Sequence, residues 1–441
     1  MTSASEISSS TQVARRVPVA GVLVILAGGT FLHLARQRGV PVSDSLWAED
    51  GEVFLSDALR DFPGTLFAQN GGYCHLVPRL IAGAAAVLPI GDAAVGMAAA
   101  AAFVLTLVAG FVFLASAEIM RSRIARLGLA CAVLLLPVPG EELLANATNL
   151  HFYLLFACFW ALVWQSETPA ALVSRLVVAI TVPLSDPLAV LFAPLAVVAP
   201  VVRRTRRALA VSCVFFASVA AQLLLMLGGD RPGRNWAFRL TDLPDVFSLR
   251  VAGGLLTGDR FLGDAWIAYG RAFSYGALIV VAAVIASLML RGDRRTVAFS
   301  LLSLAYGGLF FCVQLVARGT SGIAPDPDTF HLNHARYVVL PFLFTVTVIL
   351  ALTDRISVHR ANAAWKWGRR GVLLWLAALL VVNYSVTGDR SRGPRWDRQL
   401  IQARAACAAT VKRTASVLVA PSPPRVWFAT VPCRRLDQPR R

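Results

Sequence analysis

Charged residues are scarce in this sequence. Of its 441 residues only 15% are Asp, Glu, Lys or Arg, whereas 57% are hydrophobic. A soluble chain usually carries about a quarter of its residues as charges, so an ordinary soluble globular protein is excluded. Apolar runs of about 20 residues, the length that crosses a bilayer core, recur along the chain. The alternating ten-residue segments of an outer-membrane barrel are missing. The sequence therefore predicts an all-α polytopic membrane protein.

Lysine is almost absent, since Lys366 and Lys412 are the only two. Arginine therefore accounts for nearly all of the positive charge behind the net +17. In a soluble protein such a balance would indicate nucleic-acid binding. Here much of the basic charge lies in short segments between apolar runs, where it sets orientation in the membrane. We expect the lipid bilayer as a partner and no nucleic acid.

The apolar pattern predicts about eleven transmembrane helices between a short N-terminal tail, 1–16, and a C-terminal subdomain, 388–441. The transmembrane domain is 17–387. Several spans, notably the fourth to sixth, are short for a full crossing, which favours tilted, broken or re-entrant segments. The predicted spans are 17–36, 93–118, 123–138, 149–166, 171–185, 187–202, 208–228, 269–290, 296–317, 336–353 and 371–387.

The basic segments predict the orientation. Arg15 and Arg16 precede the first span, and further basic clusters fall near 121–126, 203–207, 291–295 and 359–370. With eleven spans all of these lie on one side, which the positive-inside rule makes cytoplasmic. We therefore expect a multi-pass protein of the cytoplasmic membrane with its N-terminus inside and its C-terminus outside. No small-residue cleavage site follows the first apolar run, which indicates a retained anchor.

The first outer loop, 37–92, carries an acidic motif in apolar surroundings. In "SLWAEDGEVF", Ser45 to Phe54, three carboxylates lie within four residues. The following "EVFLSDALRDF" places apolar residues on one helical face and charges on the other, which predicts an amphipathic helix along the membrane surface. After "NGGYCHLVPRL", a second apolar segment at 79–90 is too short to cross and is expected to lie beside the membrane.

This layout resembles that of the GT-C glycosyltransferases. The resemblance comprises a cytoplasmic N-terminus, one span, a large first outer loop that opens on an acidic motif and carries two surface helices, and many further spans. The motifs "WAEDGEVF", "GGYCHLVPRL", "NATNLHFYL" and "LSDPLAVLFAPL" look like signatures of uncharacterised actinobacterial members. It implies a polyprenyl-phosphate sugar donor and a glycan, glycolipid or protein acceptor in the cell envelope.

The resemblance also implies a catalytic carboxylate just after the first span. A carboxylate can take the acceptor hydroxyl proton as general base, and a phosphate leaving group needs no acid, so one carboxylate suffices for an inverting transfer. Asp50 or Glu49 occupies that place, and Asp50 is preferred because Gly51 beside it leaves room for substrate. The alternative is that the acids cap the amphipathic helix, and Glu52 is assigned to that role.

Further polar residues near the outer ends of apolar segments are candidates for substrate binding. Asp186 is either functional at membrane depth or the cap of a helix that begins at Pro187. Arg336 or Arg79 would bind the donor phosphate, unless it only reaches to the membrane interface. Lone histidines more often make a hydrogen bond at a helix end. The resemblance implies that the histidines, with Tyr73, Asn146 and Asn149, line the sugar pocket. The full set is Tyr73, His75, Arg79, Asn146, Asn149, His151, Asp186, His334, Arg336 and Tyr337.

No cofactor is assigned from the sequence, although one divalent metal ion remains open. His331 and His334 have a spacing of three residues, but no third ligand accompanies them. The seven cysteines include Cys407 and Cys433 in the exported tail. That tail reads as a helix and two strands, too small for its own core, and disulfides persist outside the cytoplasm. We therefore expect a Cys407–Cys433 disulfide.

A transporter or flippase for lipid-linked sugars is the alternative function. Such proteins show broken spans at matching positions in two halves. Only one such pair is visible here, near 171–202, and the charged residues lie in outer loops instead of at the middle of the membrane. A membrane acyltransferase or a non-catalytic scaffold is a third possibility.

Overall fold

The computed structural model describes residues 19–138, 140–228, 237–320, 335–356, 363–409, 413–422 and 426–437. The expected N-terminal tail, 1–16, and the candidate residue His334 lie outside the described residues.

Helices dominate the described chain. The α-helices are α1 (Val19–Leu34), α2 (Ser56–Arg60), α3 (Leu76–Ala86), α4 (Ala93–Ala115), α5 (Arg123–Leu134), α6 (Leu150–Val163), α7 (Pro169–Thr181), α8 (Ala193–Arg203), α9 (Arg206–Leu227), α10 (Asp242–Val246), α11 (Gly254–Thr257), α12 (Asp259–Met289), α13 (Arg294–Arg318), α14 (Val339–Ile356), α15 (Ala363–Val382), α16 (Trp396–Ala409) and α17 (Cys433–Leu436). Two π-helical segments are Asp50–Leu55 and Phe247–Gly253. The 3₁₀ turns are Val42–Asp44, Ile90–Asp92, Ser116–Glu118, Glu141–Leu143, Pro187–Phe192, Ala335–Val338 and Arg390–Arg392.

Strands are few and short. They are β1 (Gln69–Asn70), β2 (Tyr73–Cys74), β3 (Thr414–Val419) and β4 (Trp427–Pro432). β1 pairs with β2, and β3 pairs with β4, both antiparallel; in the second pair Thr414 lies opposite Pro432 and Val419 opposite Trp427.

The helices agree with an all-α membrane protein. Five segments in the described chain are long and apolar enough to cross a membrane. Each predicted span coincides with helical structure, but the fourth and fifth correspond to α6 and α7, of 14 and 13 residues. The sixth corresponds to the 3₁₀ turn of 6 residues at Pro187–Phe192 followed by the 11 residues of α8. A full crossing needs about 20 residues, so the number eleven stays a prediction. The five long segments are Ile90–Glu118, Arg206–Leu227, Asp259–Met289, Arg294–Arg318 and Arg336–Arg355.

The core lies around α6 and α14. Every residue from Leu150 to Leu162 is buried, and so is the apolar window of α14. Aromatic rings join the two helices: Phe344 meets Phe159 and Phe156 with ring centroids 4.9 and 5.3 Å apart. Offset and edge-to-face pairs of this kind stabilise a core beyond the area that they bury. The N-terminal ends of both helices therefore start from fixed positions.

The two ends of the bundle differ in charge. At the C-terminal ends of α6 and α14, arginines from separate segments come together: Arg295 pairs with Glu118 at 2.6 Å, and Arg355 donates to the Ile119 carbonyl at 2.7 Å. Arg203 donates to the Trp164 carbonyl at 2.7 Å. We call this end the basic end; it comprises residues 118–126, 164–167, 203–207, 293–295 and 354–355.

The predicted amphipathic helix is present over residues 50–60, as the π-helical segment followed by α2. Leu55, Ala58 and Leu59 are buried, and Arg60 is exposed. The apolar face packs against α3 and β4, so protein covers the side that we expected to rest on lipid.

The C-terminal segment shares its core with the transmembrane helices. Leu400, Val417 and Val431 belong to the same buried cluster as the residues of α4 and α6. The indole of Trp396 donates to the Ile90 carbonyl at 2.9 Å. The separate subdomain at 388–441 stays a prediction, but in the structure this segment packs as part of the whole. A disulfide joins Cys407 and Cys433 across α16 and the end of β4.

Labelling of denatured protein tests the disulfide. Without reduction we expect a maleimide to add five labels, on the cysteines that are free in the structure. After reduction it should add seven, the number in the sequence. A Cys407→Ser, Cys433→Ser double variant is the control and should add five in both states. Seven labels on unreduced wild-type protein, read by mass spectrometry, would contradict the pairing.

Candidate functional site

Segments distant in sequence meet at the end of the bundle opposite the basic end. We call it the motif face; it comprises residues 37–75, 140–151, 184–187, 335–337 and 383–395. Three contacts define it: Asp50 with Thr148, His151 with Asp186, and Arg336 with Glu142. Each joins side chains that are more than 30 positions apart in sequence. Most of the candidate residues lie on this face, although several of them make structural contacts instead of the catalytic or substrate contacts that we expected.

Asp50 is a buried anchor. Asp50 is only 2% exposed. Its carboxylate accepts hydrogen bonds from the backbone N–H groups of Ala147 and Thr148, both at 2.8 Å, and from the Thr148 hydroxyl at 2.5 Å. Burial raises the pKa of Asp50 to about 6, while these hydrogen bonds and the charge of Arg390 act to lower it. At neutral pH the carboxylate is therefore mainly ionised. It holds the loop before α6 instead of capping its own helix.

Glu49 lies beside Asp50 but is only half-buried. It is the residue before the π-helical segment, and it lies close enough to Arg336 for its charge to act on that guanidinium. Its exposure leaves it accessible to a ligand in a way that Asp50 is not. Gly51, on the other side, is needed for packing: a Cβ there would come within 2.9 Å of a Val419 methyl group in β3.

Asn146 and Asn149 build the loop that Asp50 holds. The side-chain oxygen of Asn146 accepts from the backbone N–H of Asn149 at 3.0 Å. The side-chain NH₂ group of Asn149 donates to the backbone carbonyl of Glu142 at 2.6 Å. Ala145 has a positive φ of 46°, and its N–H donates to His33 Nε2 at 3.1 Å. Both asparagines are buried, so their amides shape the loop from within.

Asp186 caps the helical turn that follows it and also pairs with a histidine; its part in substrate binding stays a prediction. Its Oδ1 accepts from the Leu188 N–H at 2.8 Å and so caps the turn that starts at Pro187. Its Oδ2 lies 2.5 Å from His151 Nδ1. The pair is buried, and it joins the start of α6 to the turn before α8.

His75 presents an acceptor nitrogen next to this pair. Its Nε2 lies 3.0 Å from the Asn70 carbonyl, to which it donates, while Nδ1 is buried with no hydrogen-bond partner among the described residues. Burial is the main reason that the pKa of His75 falls to about 3, so the ring is neutral. The Tyr73 ring lies against it, with centroids 4.1 Å apart. A neutral imidazole nitrogen of this kind can accept from a hydroxyl group.

Arg336 and Tyr337 stand at the start of α14. The Arg336 guanidinium lies over the Tyr337 ring, 5.2 Å from its centroid, and 3.9 Å from the Glu142 carboxylate. Its side chain is 23% exposed, so part of it stays accessible. Arg79 is placed differently: its side chain is 2% exposed, and Nη1 donates to Asp57 at 3.1 Å. Of the two arginines, only Arg336 lies near Glu142 and Glu49.

Two important residues escaped the sequence analysis. Glu142, in "PGEELLANATN", had no signal beyond its charge. Arg390 lies in "GDRSRGPRW" among other arginines, yet it is only 1% exposed. Its guanidinium donates to the Ser45 carbonyl at 2.9 Å, the Ser45 hydroxyl at 3.0 Å and the Leu144 carbonyl at 2.6 Å. Burial lowers the pKa of Arg390 to about 10, with Asp50 acting in the opposite sense, so it keeps its charge at neutral pH.

No group of three His, Cys, Asp or Glu side chains in the part of the chain that the structure describes could hold a metal ion. Asp186 and His151 supply one carboxylate and one imidazole, which is short of the ligand set of a protein zinc site.

No protein-family model matches the chain, and no curated protein matches it by sequence. Among solved structures, the oligosaccharyltransferase of Archaeoglobus fulgidus, in complex with zinc and sulfate, is similar with a TM-score of 0.41 and 10% identity. The alignment covers 88% of this chain and 55% of that chain, so the chain spans about half the length of its neighbour. A likeness of this size carries no conclusion about reaction, metal or ligand.

Replacing Arg390 tests its place in the fold. Arg390→Gln leaves the buried carbonyls of Ser45 and Leu144 without a charged donor, so we expect a loss of about 3 kcal/mol or more in unfolding free energy. Arg392→Gln is the matched control, because Arg392 is 81% exposed in the same turn. Thermal unfolding in detergent, followed by tryptophan fluorescence, should separate the two variants. Equal melting temperatures for both would contradict the assignment.

Proposed function

We propose that this protein transfers a sugar from a polyprenyl-phosphate donor to a glycan, glycolipid or protein acceptor. The reaction takes place at the motif face, which would lie outside the cytoplasmic membrane. The observation that carries the proposal is the meeting of Glu49, Glu142 and Arg336 on the face that also holds a neutral histidine and the His151–Asp186 pair. The layout that resembles the GT-C glycosyltransferases supports the same reading.

The charge of the two ends supports the orientation. The basic end gathers arginines from four segments, as expected for the cytoplasmic side under the positive-inside rule. α6 and α14 start at the motif face and finish at the basic end. The motif face is then the outer one, with the C-terminal segment packed on the same side.

Glu49 is the general base in this proposal, and Asp50 is the anchor that fixes its position. A base needs an oxygen that an acceptor hydroxyl can reach. Both carboxylate oxygens of Asp50 already accept hydrogen bonds from Ala147 and Thr148. Glu49, in contrast, is half-exposed near Arg336. The order of preference from the sequence, Asp50 before Glu49, is therefore reversed.

Arg336 binds the donor phosphate. Phosphate leaves as an anion, and a guanidinium offers two parallel donors to it. Tyr337 and Glu142 hold the guanidinium in place. Sugar hydroxyls would meet neutral groups nearby: His75 Nδ1 accepts, and Tyr73 and His151 complete the wall.

Three carboxamide substitutions test the division between base and anchor. Glu49→Gln should slow transfer by about 100-fold or more, since that is the contribution of a general base, and should leave the melting temperature unchanged. Asp50→Asn should also lower the melting temperature, because its NH₂ group would face N–H donors. Glu52→Gln is the matched control and should keep both properties.

The assay is transfer of radiolabel from polyprenyl-phosphate mannose, glucose, galactose or arabinose to envelope glycan in proteoliposomes. An inactive Asp50→Asn protein of normal stability, with an active Glu49→Gln protein, would return the role of base to Asp50. Full activity in both would end the general-base proposal. Label that crosses the bilayer without being transferred would indicate a transporter.

Arginine substitutions test the donor contact. Arg336→Gln should raise the KM for the donor by about tenfold, the value of one charge-assisted contact to phosphate. Arg79→Gln is the comparison: it breaks the Asp57 pair, so it should lower stability and leave KM unchanged. The same assay measures both constants. A higher KM in Arg79→Gln alone would assign the phosphate contact to Arg79.

A further inference from the structure

A cleft lies at the edge of the motif face, and neither Glu49 nor Arg336 lines it. Its volume is about 540 Å³, within the range of about 300–1,000 Å³ that holds small ligands. Four segments form it: the residues after α1, the turn near Gly140, the start of α12 and the residues after α15. The lining side chains used below are Arg36, Arg38, Asp259, Arg260, Asn383 and Ser385.

The floor of the cleft is rigid. The Arg36 guanidinium is buried and donates to the Leu136 carbonyl at 2.9 Å and the Tyr384 carbonyl at 3.0 Å. The Asn383 side chain accepts from the Arg260 N–H at 2.9 Å and donates to the Leu379 carbonyl at 2.8 Å. These bonds fix the cleft without a ligand, and a preformed site loses less entropy on binding.

The arginines of the cleft form no direct ion pair among the described residues, although the charge of Asp259 acts on Arg36 from a distance. The ion pairs of the described residues involve none of Arg36, Arg38 and Arg260. Arg38 and Arg260 are exposed, and Arg38 Nε donates to the Ser385 hydroxyl at 3.2 Å. The cleft is thus lined by two exposed arginines and a third, buried one, and guanidinium groups gathered in one cleft suit a doubly charged anion.

A single carboxylate adds a second kind of contact. Asp259 lines the same cleft, and its Oδ1 is buried with no hydrogen-bond partner in the described part of the chain. A buried acceptor without a donor is costly, and a hydroxyl group of a ligand would satisfy it. The cleft thus offers guanidinium groups for an anion and a carboxylate oxygen for a hydroxyl.

We propose that this cleft binds a phosphorylated sugar, with the phosphate on Arg38 and Arg260 and a sugar hydroxyl donating to Asp259. The site uses none of the residues placed in glycosyl transfer. Two sources share this chemistry, a soluble sugar phosphate and the head group of a lipid-linked one. Gly140 in its wall directly precedes the turn Glu141–Leu143, so the cleft adjoins the transfer site.

Calorimetry on the purified protein in nanodiscs of neutral lipid tests the site, with glucose 1-phosphate as the probe. The background variant Arg336→Gln removes the proposed donor contact. In this background we expect binding that weakens with added salt, and a loss of about tenfold or more on adding Arg38→Gln and Arg260→Gln. Arg392→Gln, an exposed arginine of the same face, is the matched control and should bind as before.

Two further arms define the ligand. Asp259→Asn should reduce the preference for glucose 1-phosphate over inorganic phosphate, because the carboxylate acceptor is lost. Polyprenyl-phosphate glucose in the nanodisc should compete with the probe if the source is a lipid, and should leave it unaffected if the source is soluble.

Absence of probe binding, or equal binding by the double arginine variant, would overturn the proposal. These measurements do not depend on sugar transfer. If the cleft binds no probe, the Glu49 experiments still test sugar transfer. If those experiments fail, the binding measurements still test the cleft.

Discussion

The buried guanidinium of Arg390 is the contact on which the motif face depends. One side chain near the end of the chain donates to the segment before the acidic motif and to the loop before α6, and its own N–H donates to Glu141 at 2.6 Å. The guanidinium of Arg390 thus joins its own segment to two others, 246 and 345 positions away in sequence. A buried charge is tolerated only when carbonyls and an opposite charge surround it, and Ser45, Leu144 and Asp50 supply these.

This arrangement separates two neighbouring carboxylates. Asp50 turns inward, where the N–H groups of Ala147 and Thr148 and the field of Arg390 favour its ionised form against the effect of burial. Glu49 stays half-exposed, and its charge acts on Arg336. Adjacent residues on a helical turn face about 100° apart, so fixing one fixes the other. Different environments give two similar groups different tasks.

The C-terminal segment contributes to the site directly. The Ala420 carbonyl accepts from the Ala48 N–H at 2.5 Å, and the Ala420 N–H donates to Leu46 at 2.9 Å, so the chain after β3 runs alongside the acidic motif. The Thr430 N–H in β4 donates to the Ser56 hydroxyl at 2.8 Å. The disulfide closes the same unit. The acidic motif is therefore held between the loop before α6 and the C-terminal hairpin.

Composition and periodicity alone determined that the chain is helical and suited to a membrane, because apolar runs of that length have no other stable setting. They also located the acidic motif, the helix over 50–60 and most of the polar residues that meet at the motif face. Only the tertiary structure decided which acid is buried, that Asp186 binds His151, and that Glu142 and Arg390 belong to the site. The reason is physical: the groups that bury and hydrogen-bond these side chains come from segments distant in sequence, and a local sequence pattern does not predict which distant segments will meet.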